Sequence, residues 1–98
     1  MRAEWTDAVK AMVVRLRQIG PAKEGFELGP GRTVIGPEKY HASMLQDADA
    51  GPKGPRSRTG AFQHELRLYL TVRGEPVPKE QEPNESDSKS RGIRPPRA

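Results

Sequence analysis

The sequence contains no cysteine among its 98 residues, and only 5% of the residues are aromatic. A chain without cysteine cannot build a disulfide scaffold, a thiol nucleophile or a zinc site with thiolate ligands. No run of 18 apolar residues occurs, so we expect no membrane-spanning helix. No unbroken apolar stretch follows Arg2, so we expect no secretory signal.

Apolar residues are also scarce, at 33% of the chain, whereas ten glycines and ten prolines are present. This composition disfavours an all-helical chain, and the length suits one small domain rather than a large enzyme core. We predict a small α+β domain over residues 1–74 and a disordered, proline-rich tail of mixed charge over residues 75–98. We predict no enzymatic activity, no cofactor and no metal ion.

The formal charge of +4 is unevenly distributed. Residues 1–50 carry as many acidic as basic residues, and residues 51–74 carry the whole excess of positive charge. In the tail, the acidic residues come first and the basic residues last. Five cations could hold phosphates, with Tyr69 stacking on a base. They are Lys53, Arg56, Arg58, Arg67 and Arg73. The alternative is that these side chains are simply solvated.

Residues 3–19 show the clearest helical pattern. At 100° per residue, six apolar side chains fall within an arc of about 120°, and they are Trp5, Val9, Met12, Val13, Leu16 and Ile19. Gly20 followed by Pro21 predicts the end of the helix. We therefore predict an amphipathic helix that packs on a core.

The middle of the chain consists of short apolar segments separated by glycine and proline. Residues 22–37 predict two short extended segments around a turn. Residues 38–48 fit two patterns, because Tyr40, Ala42 and Met44 alternate as in a strand, whereas Tyr40, Met44 and Ala48 would share a helix face after Pro37. We favour the strand, since a long strand further along needs a partner.

That long strand is predicted from strict alternation over residues 62–73. Apolar residues or histidine fill the even positions, namely Phe62, His64, Leu66, Leu68, Leu70 and Val72. Alternation with a period of two residues predicts a strand with one buried face and one face exposed to solvent. His64 would be a core or interface residue rather than a general base, and residues 51–60 would form an exposed basic hairpin loop. The result is a small antiparallel sheet with the first helix packed on it.

This fold predicts an assembly. Burial of about a dozen apolar side chains stabilises the fold by less than the entropic cost of ordering some sixty residues. We therefore expect an isolated monomer to be only marginally stable. A long strand with few neighbours also exposes an unpaired edge. Neighbouring subunits that complete the sheet would relieve both problems.

Candidate catalytic and metal-binding groups are few. His41, Asp47 and Asp49 match no established metal-ligand motif. Ser43 and His41 lack an orienting acid in a recognisable context. We therefore look to binding and assembly for the function.

The order of the elements resembles that of bacteriophage tail terminator, or tail-completion, proteins. The resemblance rests on an initial helix that contains residues 4–9, a glycine-bearing extended segment, and a long alternating strand reached through a polar loop at residues 58–70. Such proteins are small α+β subunits that form a ring at the end of the tail tube and join tail to head. They usually continue into a further helix and strands, where this chain has a proline-rich tail.

The resemblance implies a core in which one set of residues from the helix packs under another from the strand. These residues are Trp5, Val9, Met12, Leu16, Phe62, Leu66, Leu68 and Leu70. It also implies that the loop with Lys53, Arg56 and Arg58 projects toward a neighbouring ring or the lumen.

We therefore expect a structural subunit, a head-tail connector or tail terminator, in the virion or in the host cytoplasm before assembly. Its partners would be copies of itself and neighbouring virion proteins, with no membrane and no small-molecule substrate. The alternative is a small basic nucleic-acid-binding or regulatory protein that uses the basic loop and tail.

Overall fold

Four helices and a two-stranded antiparallel sheet make up residues 4–79, the part of the chain that the computed structural model describes. Their bounds in chain order are α1 (Asp7–Gln18), β1 (Phe26–Gly29), β2 (Arg32–Val34), α2 (Pro37–Ala50), α3 (Pro55–Arg58) and α4 (Ala61–Val72). Helices combined with an antiparallel sheet confirm the predicted α+β class. No helix in this part of the chain is long and apolar enough to cross a bilayer.

The predicted first helix is confirmed as α1, although it begins at Asp7 rather than at residue 3. Thr6 caps its N-terminus, because its Oγ1 accepts a hydrogen bond from the backbone N–H of Val9 at 3.2 Å. Trp5 precedes the helix. Val14, the apolar residue outside the predicted stripe, is 53% exposed.

The two predicted extended segments are confirmed as the hairpin of β1 and β2. Phe26 pairs with Val34, and the register shifts before Gly29 pairs with Arg32. Gly31 in the turn has a φ of +71°, a conformation that glycine adopts at little cost. Leu28 of β1 points into the core.

The strand preferred for residues 38–48 is wrong, because these residues lie in α2. Pro37 stands in the first turn, where its missing N–H costs nothing. Met44 and Ala48 are buried together with His41, so the 3.6-residue period decides which face packs. The alternation of Tyr40, Ala42 and Met44 was incidental.

The predicted long strand over residues 62–73 is also wrong, because residues 62–72 lie in α4 and Arg73 caps its C-terminus. The even positions separate into two groups on a helix, since residues four apart share a face. Phe62, Leu66 and Leu70 are 0% exposed, whereas His64, predicted to be buried, is exposed. Tyr69, predicted to be on the wet face, is fully buried.

The segment at residues 51–60 connects two helices and is not a hairpin loop. It contains the single turn α3, in which Ser57 is buried. Gly54, also buried, lies so close to α2 that a Cβ there would be 2.8 Å from the Cβ of Ala50. The connection is therefore partly packed against the helices rather than wholly exposed.

The core lies where α1, α2 and α4 meet the hairpin. Seven large side chains are less than 2% exposed, and they are Met12, Leu16, Met44, Phe62, Leu66, Tyr69 and Leu70. Of the core residues expected from the sequence, Val9 is also buried. Trp5 and Leu68 are partly buried and pack against the core.

The chain continues beyond α4 along the helices. Glu75 forms an ion pair with Arg15 at 3.1 Å, Val77 packs against the core, and the carbonyl of Pro78 accepts a hydrogen bond from Arg67 at 2.6 Å. The prediction of a disordered tail otherwise falls on residues 80–98, which lie outside the described residues.

Candidate functional site

Five polar side chains converge on α4, and we call them the Glu65 cluster: Arg32, Tyr40, Asp47, Arg56 and Glu65. Tyr40 donates a hydrogen bond from Oη to Glu65 Oε2 at 2.5 Å. Arg56 donates from Nη2 to Glu65 Oε1 at 2.6 Å and from Nη1 to Asp47 Oδ2 at 2.7 Å. Arg32 adds an ion pair of 3.5 Å to Glu65. The cluster thus joins β2, α2, α3 and α4.

Opposing effects act on the carboxyl of Glu65. Its burial raises the pKa, but the hydrogen bonds from Tyr40 and Arg56 and the charges of Arg56 and Arg32 outweigh burial, so the pKa lies below its ordinary value. The hydrogen bonds to Glu65 and Asp47 raise the pKa of Arg56. Burial and the bond to Glu65 raise the pKa of Tyr40. Glu65 is therefore held as a carboxylate whose two oxygens are both bonded.

A second group, which we call the His41 cluster, consists of His41, Tyr69 and Arg73. The Nδ1 atom of His41 lies 2.6 Å from the Tyr69 hydroxyl, and Arg73 Nη1 donates to the same hydroxyl at 2.7 Å. His41 is 3% exposed and Tyr69 is 0% exposed. The guanidinium of Arg73 also lies over the Tyr69 ring, 5.4 Å from its centroid.

Burial controls the ionisation of the His41 cluster. Burial and the charge of Arg73 lower the pKa of His41, against the opposing effect of the backbone carbonyls of Leu16 and Ile19. Burial also raises the pKa of Tyr69, although Arg73 acts in the opposite direction. Both rings are therefore neutral at neutral pH.

A third set of contacts attaches α3 to the start of the chain. Trp5 donates from Nε1 to Ser57 Oγ at 3.2 Å, and Gln63 donates from Nε2 to the Ser57 carbonyl at 3.1 Å. The Trp5 ring lies 6.1 Å from that of Phe62. Trp5 therefore anchors the fold through both its ring and its N–H group.

The five cations predicted to hold phosphates are not brought together as one surface. Arg56 belongs to the Glu65 cluster, Arg73 belongs to the His41 cluster, and Arg67 is bonded to the Pro78 carbonyl. Lys53 and Arg58 are exposed. Tyr69 is buried and is therefore not placed to stack on a base.

The acidic and imidazole groups considered for a metal are dispersed. His41 faces Tyr69, Asp47 is paired with Arg56, and Asp49 is paired with Arg17 at 3.0 Å. No group of three potential ligands that could hold a metal ion occurs within residues 4–79.

The start of α1 and the start of α4 enclose an open cavity of about 310 Å³. Val9 and Met12 contribute apolar atoms to its lining, and Thr6, Gln63 and His64 contribute polar ones. The Oε1 atom of Gln63 is buried without a hydrogen-bond partner. Solvent does not reach this atom, so it offers no contact to a molecule in the cavity.

No protein-family model matches the chain, and the searches of curated proteins and of solved structures found no match either. The geometry of the described residues therefore carries the functional argument.

Sequence reasoning missed both clusters. It treated Glu65 and Tyr69 as alternating wet residues of a strand, and gave Tyr40 no polar partner. The available signal was the composition of residues 61–70, where strong helix formers predominate and β-branched residues are absent. A helix in this segment places Glu65 and Tyr69, four residues apart, on adjoining turns of one face.

Proposed function

We propose that this chain is a non-catalytic structural subunit that works by contact with other macromolecules. The observation that carries the proposal is that its most reactive polar side chains are bonded to one another. Both oxygens of Glu65 are occupied, and His41 is buried against Tyr69. Because these groups hold secondary-structure elements together, contacts with other macromolecules would use other side chains, on the surface.

The particular setting that we propose is a bacteriophage particle, with the chain as a head-tail connector, a tail terminator or another neck component. Support comes from the initial helix and the glycine-bearing extended segment, which correspond to α1 and the hairpin. The third part of the pattern gives no support, because residues 62–72 lie in the helix α4.

Assembly would not be needed to complete the core. A single copy buries its seven largest core side chains, so no neighbour is needed to cover them. Contact must instead use the surface, where Ile35 is 88% exposed. This residue directly follows β2, whose outer edge pairs with no other strand among residues 4–79. Exposed strand edges and large apolar side chains both favour contact between proteins.

Particles purified from the organism that carries the gene provide the test. We expect the chain to sediment with intact particles at a fixed number of copies, and Ile35→Ser to reduce its incorporation by tenfold or more, an effect of about 1.4 kcal/mol. Val14→Ser, at another exposed apolar position, is the matched control and should be incorporated normally. Chain found only as free protein above the particles would overturn the proposal.

The alternative function, binding of nucleic acid, is favoured by one observation. Lys53 and Arg58 are exposed and form no ion pair with another residue of the described range 4–79, and they flank Ser57, which Trp5 holds by a hydrogen bond. If they contact phosphates, affinity for DNA or RNA should fall linearly with the logarithm of salt concentration. The double variant Lys53→Ala, Arg58→Ala should then flatten this slope. Arg56→Ala is unsuitable for the test because it breaks two ion pairs of the fold.

A further inference from the structure

The His41 cluster brings a buried imidazole, a buried phenol and a guanidinium together at the junction of three helices. His41 belongs to α2, and Tyr69 and Arg73 extend from α4 and its end. The carbonyls of Leu16 and Ile19, at the end of α1, act on the same imidazole. Any change in the charge of His41 therefore acts on all three helices.

The hydrogen bonds assign the protons of this cluster. Arg73 can only donate, so the Tyr69 oxygen accepts from Arg73 and keeps its own proton to donate. The remaining neighbour of that hydroxyl is His41 Nδ1, 2.6 Å away. Nδ1 must therefore be the unprotonated acceptor, and the ring proton must be on Nε2. In this arrangement each of the three groups is satisfied.

We infer that His41 is a pH-sensitive latch, which holds α1, α2 and α4 together when its imidazole is neutral and releases them when the imidazole is protonated.

Protonation disrupts the cluster in two ways. A proton on Nδ1 turns an acceptor into a donor, so the Tyr69 hydroxyl loses the acceptor of its own proton, and Tyr69 is fully buried away from water. The imidazolium would also be separated from the Arg73 guanidinium only by that hydroxyl oxygen. Arg73 is the charged group that acts on His41, and its charge is of the same sign.

Among residues 4–79, no negatively charged side chain acts on the imidazole to compensate for its protonation. Tyr69 and Arg73 face the imidazole from α4, and α1 presents two backbone carbonyls. From β1, the Phe26 ring packs against Tyr69, with 5.6 Å between the ring centroids. The carbonyls partly offset the cost of a positive charge, but burial and Arg73 outweigh them.

The sign of the pH dependence follows. The pKa of His41 in the folded state lies below the ordinary value of 6.5 that applies to the unfolded chain. Below pH 6.5 the unfolded chain therefore binds a proton that the folded chain refuses, and stability is lost as the pH falls. Well above pH 6.5 both states are neutral at this site and the stability contribution of His41 no longer depends on pH.

Urea unfolding of the full chain between pH 8 and pH 5 tests the latch. Below pH 6.5 the equilibrium constant for unfolding should rise by up to about tenfold per pH unit, the limit for one proton. His64→Gln, which changes the exposed histidine of the chain, is the matched control and should keep this slope, whereas His41→Gln should flatten it. An unchanged slope in His41→Gln overturns the proposal.

A titration of the unmodified chain by nuclear magnetic resonance serves if His41→Gln does not fold. We expect the His41 ring nitrogens to show the tautomer protonated at Nε2 at pH 7.5 and a midpoint below 6.5. Amide hydrogens of α2 should also exchange faster at pH 5 than expected from the intrinsic pH dependence. A midpoint at or above 6.5, or a tautomer protonated at Nδ1, contradicts the latch.

Discussion

The Glu65 cluster and the His41 cluster both lie on α4 but are stabilised in different ways. The Glu65 cluster consists of charges that are paired and partly hydrated, with 40% of the Arg56 side chain and 15% of the Glu65 side chain exposed. The His41 cluster combines one cation with two neutral rings, in a site where Tyr69 has no contact with water. Charge stabilises the first cluster and neutrality stabilises the second.

This difference teaches that one helix can carry two polar clusters that respond to different conditions. Loss of charge weakens the Glu65 cluster, and gain of charge weakens the His41 cluster. The changes below separate the two clusters, beginning with the largest expected effect.

Glu65→Ala should have the largest effect, because it removes the acceptor shared by Tyr40, Arg56 and Arg32. Removing one partner of a buried ion pair costs several kcal/mol, and partial hydration of Arg56 reduces this to about 3 kcal/mol. Urea unfolding at pH 7.5 measures the loss. The control is Glu27→Ala, an exposed glutamate on β1, which should change the stability by less than about 0.5 kcal/mol. Equal losses in both variants would show that the cluster does not stabilise the fold.

Tyr69→Phe should cost about 2 kcal/mol, because it keeps the buried ring but leaves His41 Nδ1 and Arg73 without their shared partner. Tyr40→Phe is the matched change in the other cluster. It should cost only about 1 kcal/mol, since Glu65 keeps its bonds to Arg56 and Arg32. Thermal unfolding of the two variants compares the clusters directly. A larger loss in Tyr40→Phe would reverse the comparison.

Acid should weaken the Glu65 cluster gradually, in a different pH window from the His41 cluster. The pKa of Glu65 in the folded state lies below the ordinary value of 4.5. Its stabilising contribution is therefore present above pH 4.5 and is lost as the pH falls from 4.5 through the folded-state pKa. The effect should be smaller than that of Glu65→Ala, because a protonated carboxyl still fills its site. Unfolding from pH 5 to pH 3 should show a pH dependence that Glu65→Gln reduces and His41→Gln does not. The reverse result would assign the acid response to His41.

Arg32→Ala should have the smallest effect, less than about 1 kcal/mol. Its ion pair with Glu65 is long, at 3.5 Å, and 52% of the Arg32 side chain is exposed. Its contribution should fall further as salt is added. Stability measured at low and at high ionic strength checks this expectation, and a loss comparable to that in Glu65→Ala would show that Arg32 is an essential member of the cluster.

Sequence patterns predicted part of the fold for identifiable reasons. In residues 3–19 the apolar residues follow the helical period alone, and α1 (Asp7–Gln18) lies within this predicted segment. In residues 62–73 the apolar residues satisfy two periods at once, because Phe62, Leu66 and Leu70 are both alternate and four apart. The packing of Tyr69 against His41 and Phe26 identifies the buried face. Strict alternation was therefore weaker evidence than it looked.

The local sequence was sufficient to predict α1 and its end before Gly20, and the hairpin with its glycine turn. The spacing of apolar residues and the conformational freedom of glycine are properties of a few neighbouring residues, so they can be read from the sequence. Long-range packing decided which face of α4 is buried, that His41 meets Tyr69, 28 residues away, and that Tyr40 meets Glu65, 25 residues away. Such contacts depend on how whole elements dock to bury apolar surface, and no local pattern records the result.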